Sequence, residues 1–165
     1  MRSGLPVTLA AVGALAALGA VASRRGSRSM ESEAIINSAS VLDEYDFSEL
    51  KKLFRRAGRS WGFTFDGYLY HGTTAGAWSE VQSGTQILHL TADRSFASEF
   101  TGRGSDGILL RIPLAALVDT QFGPDENLLV EEGETDPLVS ARKVGHVTIV
   151  GDIESLKPQF SKVDP

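Results

Sequence analysis

The sequence predicts an α+β fold, a mixed and largely antiparallel sheet with N-terminal helices, on three observations. Apolar residues first recur at helical intervals, over 33–58. From Phe63 onward the pattern changes to short apolar and aromatic runs broken by glycine and proline, as strands and turns require. Short stretches that begin with helix-capping residues lie between those runs. The 165 residues suit one such domain, 31–165, behind a segment 1–30 of different composition.

In that first segment, Leu5 to Ala22 is 18 residues without a charge. As a helix it spans about 27 Å, just short of a hydrocarbon core of ~30 Å. Three readings stay open. A membrane anchor over 5–22 would leave Arg24, Arg25 and Arg28 on the cytoplasmic side. A secretory signal would start at Arg2 and be cut after Ala20-Val21-Ala22, although the arginine pair that follows opposes cleavage. An alanine-rich helix packed on a partner suits a large assembly such as a virus particle. The chain is accordingly expected to be membrane-associated, secreted or part of such an assembly. Ser23 to Ser32 reads as a basic linker.

The domain then opens with Ala34, Ile35, Ile36, Val41 and Leu42 as an apolar cluster. A second helix is expected from Asp46, which can cap it with Glu49 three residues on. Phe47, Leu50, Leu53 and Phe54 make its inner face, and Gly58 its stop. Lys51, Lys52, Arg55 and Arg56 fill the other face, as a solvated surface or a phosphate patch. A strand follows at 67–71, a short helix over 75–82 ended by Gly84, and a strand at Ile87 to Leu90. Thr91 or Asp93 can cap a helix through Phe100, with Phe96, Ala97 and Phe100 on one face. Gly107 to Ile112, Leu128 to Val130 and His146 to Val150 read as strands, and Trp61 and Trp78 as packing residues.

Composition removes several functions. Without cysteine there are no disulfides or thiolate metal sites, and His71, His89 and His146 lack a zinc-ligand spacing, so no metal is expected. Residues 1–30 hold four arginines and no acid, so of 16 bases 12 remain against 21 acids, a net of −9 for the rest. Phosphate backbones are held by clusters of lysine and arginine, so nucleic acid is not an expected partner.

Three segments carry chemistry together: Tyr68-Leu69-Tyr70-His71-Gly72-Thr73-Thr74, Leu88-His89-Leu90-Thr91-Ala92-Asp93 running into Ala97-Ser98-Glu99-Phe100, and Asp125-Glu126-Asn127-Leu128-Leu129-Val130. This series, over residues 67–131, resembles the ADP-ribosyltransferase superfamily in its poly-ADP-ribose-polymerase-like and diphtheria-toxin-like branch, small bacterial or phage type. In that branch a His-Gly pair ends the first strand of the NAD pocket, an aromatic-bearing strand precedes a helix, and a glutamate opens a later strand. His89 stands where the family usually has tyrosine.

The resemblance implies an NAD-dependent mono-ADP-ribosyltransferase that uses NAD as co-substrate and modifies a protein target. It makes Glu126, His71 and His89 the catalytic candidates, and His71, Gly72, Thr73, His89 and Phe100 the NAD-binding ones. His71 would bond a ribose hydroxyl of the adenosine half. The Gly72 backbone would reach the nicotinamide amide, Phe100 or Tyr70 would supply an aromatic wall, and Glu126 would steady the ribose cation. Breaking the nicotinamide–ribose bond builds positive charge on the ribose, which a nearby carboxylate stabilises. Glu131, Glu132 or Glu134 could be that carboxylate instead. Two other functions stay open: a catalytically degenerate domain that binds or builds part of a larger, viral assembly, and a secreted toxin-like effector.

Overall fold

The computed structural model describes residues 30–102 and 104–165, so the apolar segment 5–22 and most of the linker lie outside the described residues. Among the described residues no helix is long and apolar enough to cross a membrane. The linker is shorter than expected, because helix α1 (Met30–Ser38) begins within it. Glu31 and Glu33 lie in its first turn, where the helix dipole favours acids.

A two-residue strand, β1 (Ser40–Val41), separates α1 from α2 (Glu44–Trp61), so Val41 is exposed instead of joining an apolar cluster. Asp43, not Asp46, caps α2 and accepts the Asp46 N–H at 2.8 Å. The Gly58 stop is also corrected: α2 runs on to Trp61, and Gly62 ends it at φ 84°. Gly58 sits inside the helix because the Phe63 carbonyl oxygen lies 2.3 Å from where a Cβ would stand. Leu50, Phe54 and Ala57 are buried, whereas Lys51, Lys52, Arg55 and Arg56 are exposed.

The remaining strands are β2 (Tyr68–Thr74), β3 (Thr85–Thr91), β4 (Gly107–Pro113), β5 (Gln121–Gly123), β6 (His146–Asp152) and β7 (Ser161–Val163). They form one sheet in the order β1-β5-β6-β3-β2-β4-β7, with every neighbouring pair antiparallel. Between them run α3 (Ala75–Ser79), α4 (Arg94–Ser98, continued by a 3-10 turn over Glu99–Thr101), α5 (Glu126–Glu132), α6 (Pro137–Val144) and α7 (Ile153–Leu156). The fold class is α+β.

Leu128 to Val130, expected as a strand, belong to α5. Asp125 accepts the N–H groups of Asn127 and Leu128, and Gly133 closes the helix at φ 67°. Caps at both ends outweigh the strand preference of a three-residue apolar run, and Val130 is 61% exposed.

Leu69 and Ile112 meet Leu88 and Leu90 of β3 and Val147 and Ile149 of β6 in a core covered by Leu50 and Phe54 of α2. Side chains alternate along a strand, so His89, Thr91, His146 and Thr148 share the opposite face. Trp61 is not a core residue: it is 63% exposed, and its Nε1–H bonds the Lys143 carbonyl at 2.6 Å. Trp78 does pack, against Phe160 at 5.0 Å between ring centres.

Candidate functional site

β2 pairs with β4 along its whole length, and β3 does the same with β6. β2 and β3 meet at one register position only, Tyr70 opposite Thr91. The sheet therefore divides into two halves, β1-β5-β6-β3 and β2-β4-β7, that part where β2 runs on through His71 to Thr74. A cleft of about 830 Å³, counted to its open mouth, lies at this division.

His71 spans the parting. Its Nδ1 lies 2.9 Å from the His89 carbonyl oxygen. A carbonyl only accepts, so Nδ1 carries the hydrogen and Nε2 keeps a lone pair. The imidazole thus replaces a backbone partner that β2 does not supply. Burial holds its pKa at about 4, against the lesser opposing pull of that carbonyl, so the ring is neutral at neutral pH.

Beside it Gly72 is buried, with the Ala97 carbonyl oxygen 1.9 Å from the position of an added Cβ. Glycine is needed there for the close crossing of α4 over β2. Asp93 sets that crossing by capping α4, its carboxylate accepting the Ser95 and Phe96 N–H groups at 2.9 and 3.2 Å. Phe96 and Phe100 then meet edge to face at 5.0 Å, and Phe96 stacks on His146 at 4.3 Å. Together they make an aromatic wall. Tyr70, on the other side, is buried and donates its hydroxyl to Asp66 at 2.5 Å; burial first, then Asp66, pushes its pKa up to about 12.

The third side is the start of α5. Asp125 caps the helix, and its own N–H bonds the Ser140 hydroxyl at 2.9 Å. This fixes the first turn, and two consecutive acids leave it for two histidines. Glu126 Oε2 lies 3.4 Å from His89 Nε2, and Asp125 Oδ2 lies 3.6 Å from His146 Nδ1. All four side chains are largely buried, from 12% exposed at Asp125 to 29% at His89. Burial depresses the His89 pKa despite the acids, and the neighbouring His146 adds to the depression. Burial alone would raise the Asp125 carboxyl, but His146, His89 and the Leu128 N–H together hold it below the usual carboxylate range. Among the described residues no three histidines or acids are arranged to hold a metal.

Of the residues expected at a site, His71, Gly72, His89, Phe100 and Glu126 line this cleft, brought together from four segments. Thr73 does not line it; it pairs with Ile108 in β2–β4, while Thr74 caps α3 by accepting the Ala77 N–H at 3.1 Å. Glu131, Glu132 and Glu134 are also outside the lining. Glu126 opens a helix, not the strand that the resemblance implies. Sequence reasoning missed His146, Asp125 and Phe96 as cleft residues. A usable signal existed for His146: it begins the apolar alternation His146 to Val150, which sets it on the face opposite Val147 and Ile149. Comparison with family models, curated proteins and solved structures finds no match to this chain.

Proposed function

We propose that the cleft binds NAD and that the protein transfers ADP-ribose from it to a protein target. The observation that carries this reading is the convergence of His71, His89 and Glu126 on one cleft at the division of the sheet. Each has a physical task there. The His71 Nε2 lone pair accepts a ribose hydroxyl, with the ring held by its Nδ1–H bond. Neutral His89 faces the nicotinamide without repelling its ring, which is cationic in bound NAD, and Phe100 and Phe96 enclose it. The Glu126 carboxylate stabilises the charge that develops on the ribose as the nicotinamide departs.

Glu126→Gln tests this role. Glutamine keeps the size and a hydrogen bond but loses the charge, which matters mostly in the transition state. Nicotinamide release should fall about 10²–10³-fold, or about 3–4 kcal/mol, with NAD affinity nearly unchanged. Equal rates for the two proteins would refute the role. One observation favours a second reading, a degenerate domain that binds without turnover: Glu126 lies in a helix and is engaged by His89. NAD binding without nicotinamide release by the wild type would decide for it.

A further inference from the structure

Asp125 and His146 are left over by this assignment, yet they form a second acid–imidazole pair in the same cleft. Resting on the NAD reading above, we infer that His146 is the general base for the acceptor and that the acceptor attacks through a hydroxyl, either water or an alcohol side chain. Three features support this. His146 Nδ1 faces the Asp125 carboxylate at 3.6 Å, longer than a hydrogen bond, as resting acid–base pairs commonly are before substrate closes them. That carboxylate favours the tautomer with hydrogen on Nδ1, which leaves the Nε2 lone pair as the acceptor. Phe96 stacked on the ring and Asp125, itself locked as a helix cap, fix its orientation. The Asp125–His146 contact is distinct from the Glu126–His89 contact beside it, so stabilising the cation and taking the proton fall to different groups.

The step balances. The bond from ribose C1′ to the nicotinamide nitrogen breaks, and its electron pair goes to the ring, which leaves as neutral nicotinamide. A hydroxyl oxygen forms the new bond to C1′, its proton passes to His146 Nε2, and the imidazolium later returns it to solvent. Asp125 is a positioning residue that acts through His146. A carboxylate acceptor carries no proton to remove and would have no use for the pair, whereas a hydroxyl keeps its proton until attack and needs a base beside it.

The test uses the full chain with NAD in water, in water with methanol, and in water with sodium azide, separating nicotinamide, ADP-ribose, the methyl riboside and the azide adduct. Azide attacks without losing a proton. His146→Gln should lower the water and methanol products about 10²–10⁴-fold, the range for a removed general base, and leave the azide adduct within a few-fold. Asp125→Asn, which keeps the helix cap, should give the same pattern more weakly. A parallel loss of all products would make His146 merely structural and overturn the proposal, as would no loss at all. Wild-type protein that reacts with azide but not with water or methanol would overturn the hydroxyl acceptor and leave NAD cleavage standing. Absence of nicotinamide release under all three conditions would overturn both.

Discussion

His71 takes the place of a backbone partner for the His89 carbonyl, and that has a consequence for stability. Its pKa lies at about 4 folded against 6.5 unfolded, so the unfolded chain binds the proton first as pH falls. The stability is therefore whole above pH 6.5 and is lost as pH drops toward 4, by an amount on the order of 3 kcal/mol. The depressed His89 pKa acts in the same direction. Urea unfolding of His71→Gln, whose amide can still donate to the carbonyl, should show a clearly flatter decline between pH 6.5 and 4.5 than the wild type; parallel declines would contradict the account. His71 was legible in sequence through its place in Tyr70-His71-Gly72. Its partner was not, because the bond goes to a main-chain oxygen 18 residues away. Gly72 was legible through the same His-Gly pair, whereas the Ala97 carbonyl that crosses it, 25 residues on, was not.

At the scale of elements, the fold depends on α4 crossing β2 closely enough to leave a cleft beside it. Gly72→Ala puts a methyl group into the Ala97 carbonyl and should cost about 1–3 kcal/mol, read as a lower urea midpoint. An unchanged midpoint would show that the crossing can give way freely. Elements with a long apolar or aromatic run, such as β2, β3, β4 and β6, could be read from sequence because burial dictates their pattern. The three-residue strands β5 and β7 could not, since their hydrogen bonds depend on partners remote in the chain. In α5 the apolar run pointed one way and the caps Asp125 and Gly133 the other, and the caps prevail. The same applies to α2, where Asp43 and Asp46 are both plausible caps by type, and the bond to the Asp46 N–H decides between them.

For the whole molecule, the described residues hold a core running from Leu50 to Ile153. Because composition breaks at Ser23 to Ser32, removal of residues 1–29 should leave a cooperative thermal transition; loss of cooperativity would place that segment in the core. The cleft is a property of the whole molecule too, since its sides come from β2, from β3 with α4, and from α5 with β6. The sequence nominates His71, His89 and Glu126 as one set, and the divided sheet is what sets them side by side. Calorimetric titration with NAD is the most direct test of that arrangement. Saturable binding at submillimolar NAD is expected, weakened about 2–12-fold by His71→Ala through loss of one hydrogen bond. No binding at millimolar NAD, or equal affinity in the two proteins, would contradict it.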